Sequence, residues 1–293
     1  MQKIIILDTE TTGTAQLDRI CQLSYIVLDS DGKIEEIHNE FCKPPVPLTF
    51  EAMAIHHITP EMLENTIPCV DTIAYKRLLE LNTPSNIMVI QNAEFDLDML
   101  LKEGMSLNMK LLDTFRVLRA LYPDDSPYGL QFKRYQWGLY KKEKALMEKY
   151  NIEIKAHDAL GDVVVLLNLF EKLLEDYELD EMIEMCESPI VLELITFGKH
   201  KGKRFEDVAV DSRNDLRFML DTFDLDEDLK ATLEYHLEAT KSQAVIKLRF
   251  GKYFGKTPDE IVLEDRSYLV WLSNNAERLD KDTIEAIAVA LKK

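Results

Sequence analysis

The 293-residue sequence has no apolar run near the roughly 18 to 20 residues that cross a bilayer, and its N-terminus lacks a charged-then-apolar export signal. A soluble, cytoplasmic protein with no membrane partner is therefore expected. It has only four cysteines, Cys21, Cys42, Cys69 and Cys186, which are scattered and form no C-x-x-C pair. That spacing excludes both a zinc site and a disulfide framework, and predicts reduced thiols, several of them in the core. Positive charge is also scarce. Against 53 acidic residues stand 35 basic ones, a net charge of −18, which argues against broad, sequence-blind adhesion to polyanions. The deficit is uneven, with 33 acids and 18 bases in residues 1–189 but 20 and 17 in residues 190–293. Any basic handle for a polyanion is expected in the last third.

What is present begins with strand patterns at Ile4–Asp8, Ile20–Leu28 and Ile34–Phe41, the last two joined by the turn-forming "DSDGK" at Asp29–Lys33. Helical spacing follows over Asp71–Leu81, a short buried strand over Ile87–Ile90, and a helix over Phe95–Lys102. After a brief strand-like approach, Leu111–Leu121, Leu130–Leu139 and Lys142–Tyr150 read as helices, and a long apolar-periodic helix is expected from about Asp158 to Tyr177. Hairpin strands followed by strand-helix alternation predict an α/β fold, a mixed sheet with helices on both faces.

The stretch Glu175–Pro189 gathers seven acids with no base and reads as a short helical connector. Beyond it lies an internal repeat, in which "ITFGKHKGKRFEDVAVDSRNDLRFML" from Ile195 aligns without a gap on "LRFGKYFGKTPDEIVLEDRSYLVWLS" from Leu248. Phe197, Gly198, Lys199, Gly202, Lys203, Arg213 and Leu216 recur as Phe250, Gly251, Lys252, Gly255, Lys256, Arg266 and Leu269. Each copy reads as a strand, a tight Gly-Lys hairpin, a second short segment and a helix. The expected division is 1–178, a connector over 179–192, and repeats over 193–240 and 241–293.

The chemistry starts at "KIIILDTETTG", Lys3–Gly13. Residues two apart in a strand point the same way, so Asp8 and Glu10 should project together at the end of the first strand. Two such carboxylates repel each other and lose solvation unless cations offset both costs. All-oxygen donors favour hard divalent ions, Mg²⁺ or Mn²⁺. Alone, a D-x-E reads as a turn cap and a solvated acid; two further segments change that. "QNAEFDLDML" sets Asp96 in the first turns of a helix, and "HDALGD" sets Asp162 near the start of the long helix with His157 five residues before it.

These three segments, in this order, resemble the three motifs of the DnaQ-like DEDDh family of 3′-to-5′ exonucleases: D-x-E on Asp8 and Glu10, N-x-x-x-D on Asn92 and Asp96, H-x-A-x-x-D on His157, Ala159 and Asp162. "IHHITPEML" from Ile55 and "LLDTFRVLRALYP" from Leu111 are similar to further family segments, with His57 in place of a usual glycine and Gln91 in place of a frequent histidine. The resemblance covers roughly residues 3–176 and implies a ribonuclease H-like fold with a five-stranded sheet. It further implies two Mg²⁺ or Mn²⁺ ions, one on Asp8, Glu10 and Asp162 and the second on Asp8 and Asp96, with His157 as general base. Thr11, Thr12, His56, Ile58, Asn92 and Phe95 would then lie near the terminal nucleotide, although core packing is an equal reading for Ile58 and Phe95.

The Gly-Lys segments resemble the small C-terminal module of exodeoxyribonuclease X-like proteins, here in tandem. A small α+β region is expected, with Lys199, Lys203, Lys252 and Lys256 as candidate phosphate contacts and a protein partner as the competing reading. The implied partner is nucleic acid with a free 3′ end, DNA ahead of RNA. Two alternatives stand beside a DNA exonuclease: an RNA-trimming exonuclease, and a non-catalytic adaptor that binds nucleic acid or protein.

Overall fold

The computed structural model describes residues 2–123, 125–150, 152, 158–241, 245–275 and 279–293. The chain divides into two compact units, Met1–Ile190 and Val191–Lys293.

The first unit is built on one five-stranded sheet: β1 (Ile4–Thr11), β2 (Ile20–Leu28), β3 (Ile34–Phe41), β4 (Ile87–Ile90) and β5 (Lys110–Asp113), in the order β3-β2-β1-β4-β5. The first three strands form an antiparallel meander, and β4 and β5 continue from β1 in parallel. The expected turn between β2 and β3 is closed by Asp29, whose carboxylate accepts from the backbone N–H of Asp31 and Lys33 at 2.9 and 2.8 Å. Gly32 supplies the left-handed residue, with φ of 76°.

Around the sheet run α1 (Phe50–His56), α2 (Pro60–Leu63), α3 (Ile73–Leu81), α4 (Ala93–Lys102), α5 (Thr114–Leu121), α6 (Leu130–Gln136), α7 (Tyr140–Tyr150), α8 (Ala159–Leu174) and α9 (Leu179–Glu187). Strand alternation divides the core in two. Ile5 and Leu7 pack with Leu78 of α3 and with Met99 and Leu100 of α4. Ile6 turns to the other face, where Val163, Val164, Leu167 and Phe170 of α8 cover it. Helices therefore lie on both faces of a mixed sheet, the ribonuclease H-like arrangement. Cys21, Cys42 and Cys69 are buried free thiols.

Two expectations shift. The first strand does not end at Asp8 but continues to Thr11, because Asp8 pairs with Ser24 and Glu10 with Gln22 before a bulge between Glu10 and Thr11. The segment read as a connector over 179–192 contains α9, whose Met182 and Ile183 are buried in the α8 side of the core.

The second unit is helical: α10 (Phe205–Asp211), α11 (Arg213–Thr222), α12 (Glu227–Ala239), α13 (Pro258–Asn274) and α14 (Lys281–Lys292). The expected α+β character is corrected here, since among the described residues it holds no strand, only an isolated bridge between Leu194 and Arg204. The reason is length. In the first copy Ile195 and Lys203 close the Gly-Lys loop with two hydrogen bonds, Ile195 N–H to Lys203 O and Gly202 N–H to Ile195 O, and the chain then enters a helix. Leu248, Lys256 and Gly255 repeat both bonds 53 residues later. Gly202 and Gly255 take φ of 82° and 84°, which a side chain would strain. The repeat extends into the helices, for Asp265 breaks α13 with φ of −153° where Ser212 separates α10 from α11.

Each copy has its own small core, around Phe205, Leu216 and Leu233 in one and Ile261, Leu269 and Ile287 in the other. One buried ion pair joins them. Arg213 Nε donates to Asp282 at 2.6 Å, while its other nitrogens donate to Thr240 and to the Leu237 carbonyl. Its counterpart Arg266 donates to the Leu291 carbonyl from an exposed position. No described helix is long and apolar enough to cross a membrane.

Arg213→Ala removes a buried guanidinium and its three hydrogen bonds, leaves Asp282 paired with Arg217 alone, and is expected to cost about 3 kcal/mol of stability in the second unit. Arg266→Ala should cost under about 1 kcal/mol. Urea unfolding of the two variants checks this, and equal losses would contradict the joining role of Arg213.

Candidate active site

Asp8 and Glu10 leave β1 on the face that α8 covers, and Asp162 sits in the first turn of α8. One carboxylate oxygen from each of Asp8, Glu10 and Asp162 lies within 4.8 Å of the others, although Asp162 is more than 150 residues away in sequence. All three side chains are partly buried. Asp96, buried in the first turn of α4, is not in that tight group. Its Oδ1 accepts the Thr9 hydroxyl at 2.7 Å, and Thr9 faces the α4 side of β1, so Asp96 is held on that side. It is still near enough to act on Asp8 electrostatically.

The electrostatics show what this gathering costs. Burial raises Asp8 well above the usual carboxylate range, and Asp96, Asp162, Glu10 and Asp158 raise it further. Glu10 is pushed up to about 8, by burial first and then by Asp162, Asp96 and Asp158. Asp96 is pushed up to about 7 by burial, against the Thr9 hydroxyl, which favours its charged form. Bound cations would reverse every one of these shifts. The all-oxygen donor set of Asp8, Glu10 and Asp162 fits a hard divalent ion.

Two glutamines that no motif marked brace the acidic cluster. Gln22, fully buried on β2 opposite Glu10, donates to Asp158 at 2.9 Å and accepts from the Ala159 N–H at 3.3 Å. It ties the start of α8 to the sheet, and Asp158 caps the helix through the Gly161 N–H. From α6, Gln131 donates its Nε2 hydrogen to Asp162 Oδ1 and accepts from Arg134, which is itself held by two bonds to Glu143 at 2.7 and 2.6 Å. Sequence gave no signal for these glutamines, because a tether across the fold has no fixed spacing.

Beside Glu10 opens a cleft of about 430 Å³ lined by Thr11, Gly13, Thr49, His56 and Phe95 among others. Of the expected nucleotide contacts, Thr11, His56 and Phe95 are thus brought to it. His56 accepts the Ile58 N–H on Nδ1 at 2.9 Å, so its Nε2 carries the proton and donates to the Thr11 carbonyl at 3.1 Å. Burial lowers its pKa, which keeps the ring neutral. Thr12 is fully buried with its hydroxyl donating to Asp18, so it shapes the loop from behind. For Ile58 the core alternative holds, since it is 2% exposed and packed with Cys21 and Leu63.

Asn92 is exposed, with φ of 62°, and makes the left-handed turn between β4 and α4. The Asp113 carboxylate holds it there by accepting from Asn92, Ala93 and Phe115 N–H. His57, where the family usually has glycine, is also left-handed at φ of 61° as the cap of α1. The candidate base His157 lies outside the described residues. In the second unit, Lys199 pairs with Asp215 at 2.8 Å, Lys252 with Asp265 at 3.1 Å, and Lys256 with Glu264, while Lys203 is exposed.

A carboxyl whose pKa is raised on folding favours the folded state below its ordinary pKa and loses that contribution as pH rises through the folded value. For Glu10 that window runs from about 4.5 to about 8. In EDTA, Glu10→Gln should therefore gain on the parent protein across this window, on the order of 1–3 kcal/mol in unfolding free energy by pH 8.5. A variant that loses ground as pH rises would contradict the crowding of acids.

Comparison with known proteins gives the family. A family model for exonucleases, of the RNase T kind, matches residues 5–170. The chain is 28% identical over 239 residues to exodeoxyribonuclease 10 of Escherichia coli K12, covering 80% of this chain and 99% of that protein. It is also 28% identical over 180 residues to the PolC-type DNA polymerase III of Bacillus subtilis, covering 59% of this chain and 11% of the polymerase. A solved structure of exonuclease X in complex with 5′ overhanging duplex DNA aligns with 63% of this chain and 99% of its own at 23% identity, with a TM-score of 0.45. With the family model spanning more than half of its length and containing Asp8, Glu10, Asp96 and Asp162, this chain belongs to the exonuclease family.

Proposed function

We propose that the chain is a metal-dependent 3′-to-5′ exonuclease that removes nucleoside monophosphates from single-stranded or frayed DNA ends. The observation that carries this reading is the meeting of Asp8, Glu10 and Asp162 from distant segments, at a pKa cost that divalent ions would cancel. The similarity to exodeoxyribonuclease 10 over most of both chains supports DNA ahead of RNA.

A phosphodiester repels nucleophiles through its charged oxygens, so the site must supply positive charge, place a water and take its proton. Bound Mg²⁺ or Mn²⁺ supplies the positive charge and lowers the pKa of water. Asp8, Glu10 and Asp162 would hold one ion, and Asp8 with Asp96 would hold the second. Thr9 fixes the orientation of Asp96, and Gln131 fixes that of Asp162 by occupying Oδ1. Gln131 is thus a positioning residue. His157, by its place in the H-x-A-x-x-D segment, takes the proton from water, as a neutral imidazole can near pH 7. The Thr11 backbone, His56, Phe95 and Asn92 border the terminal nucleotide, with the Phe95 ring offering a sequence-tolerant face for its base. In the second unit, Lys199, Lys203, Lys252 and Lys256 contact the phosphates of the same strand; the ion pairs that hold three of them are exposed and weak enough to exchange.

The test uses matched single-stranded DNA and RNA, each labelled at the 3′ end, with Mg²⁺ or EDTA. Label should leave DNA faster than RNA, only with Mg²⁺, and Asp8→Ala should reduce release to background. Faster release from RNA would assign the RNA-trimming reading, and no release from either would leave the adaptor. Gln131→Met, which keeps the size but not the hydrogen bond, should weaken Mn²⁺ binding roughly 10–100-fold. An unchanged Mn²⁺ titration would remove Gln131 from the positioning role.

A further inference from the structure

The second unit carries aromatic rings that its cores do not use. Phe197 and Phe218 are 41% and 58% exposed, and their counterparts 53 residues on, Phe250 and Trp271, are 42% and 57% exposed. The two cores are filled by other residues, Phe205 and Leu216 in one copy and Ile261 and Leu269 in the other. The copies have diverged at neighbouring positions, with His200 against Tyr253 and Asp215 against Tyr268. Large rings half in water add little to folding, and clustered ones mark surfaces that bind something. Here the same two positions keep them in both copies.

In the first copy, Phe197, Phe218 and Phe223 line a cleft of about 470 Å³, with Phe218 and Phe223 edge to face at 5.7 Å. The polar groups of its lining are Lys199, His200 and Asp215. Lys201 and Lys203, in the loop bordering the cleft, are exposed and form no ion pair among the described residues. Apolar faces edged by cations suit bases joined by phosphates. Exposed aromatic residues at the same two positions of a repeating scaffold also suit a polymer whose own units repeat, more than a single peptide.

We infer that Phe197 and Phe218, with Phe250 and Trp271 at the matching places of the second copy, stack on unpaired bases of the strand that the nuclease unit degrades. This rests on the exonuclease reading above. Sequence preference is absent, because every base offers a flat face, and lysine contacts to phosphate add the salt dependence.

The experiment uses the full chain. In an Asp8→Ala background with EDTA, anisotropy of labelled dT20 measures binding without cleavage, and a matched abasic strand measures the contribution of charge alone. The double variants Phe197→Ala with Phe218→Ala, and Phe250→Ala with Trp271→Ala, should each weaken dT20 binding about tenfold or more and leave the abasic strand unaffected. In a Trp137→Phe background Trp271 is the one remaining tryptophan, and dT20 should quench its emission where the abasic strand does not. With Asp8 intact and Mg²⁺ present, the parent chain should hydrolyse dT4, and its failure to do so would sink the nuclease reading separately. Unchanged dT20 affinity in both double variants, or equal binding of dT20 and the abasic strand, overturns the stacking proposal, and the first outcome gives the cleft to an apolar peptide.

Discussion

Everything in the first unit depends on holding three carboxylates closer together than they would stay by themselves. Asp8, Glu10 and Asp162 meet within 4.8 Å in a partly buried place, where Asp162 raises the proton affinity of both Asp8 and Glu10. The protein opposes that repulsion with ordinary fold energy. Asp8 and Glu10 are fixed by pairing with Ser24 and Gln22 of β2, and α8 is pressed onto the sheet by Val163, Val164 and Leu167. Gln22 and Gln131 then set the two ends of the tether, one on the helix start and one on the Asp162 carboxylate. The site is thus paid for by the core, and a divalent ion returns what the crowding costs.

Much of this was legible because it is periodic or local. The alternation of β1, the turn at Asp29–Lys33 and the apolar stripe of α8 all announce themselves in sequence. The D-x-E spacing gave the shared face of Asp8 and Glu10, and the family resemblance gave Asp96 and Asp162. What escaped the reading depends on partners far away in the chain. The extension of β1 to Thr11 is set by pairing with β2, not by the polar residues Thr9 and Thr11 themselves. Gln22, Thr9 and Gln131 are unremarkable until the fold places an acid opposite each. Ile58 stayed open between cleft and core because an apolar residue near a motif serves either equally well on paper, and the fold gives it to the core.

The second unit gives the complementary lesson. Its repeat was plain in the sequence, yet among the described residues the strands expected on either side of each Gly-Lys turn are absent, because two hydrogen bonds close the loop and a helix begins at once. The lysines that suggested free positive charge are largely held by neighbouring acids, at different positions in the two copies: Asp215 in one, Asp265 in the other. The feature the copies do share in the open is aromatic. Arg213 shows how two small cores become one unit, since a single buried guanidinium bonds both to its own copy and to Asp282 of the next.

The most direct test of the central claim is to count divalent ions. Titration of the metal-free protein with Mn²⁺, followed by the loss of the free-ion electron paramagnetic resonance signal, should show two bound ions in the parent. Asp8→Asn, which removes the carboxylate shared by both proposed sites, should bind neither with comparable affinity. A parent protein that leaves the free-ion signal unchanged, or an Asp8→Asn variant that binds as the parent does, would contradict the account.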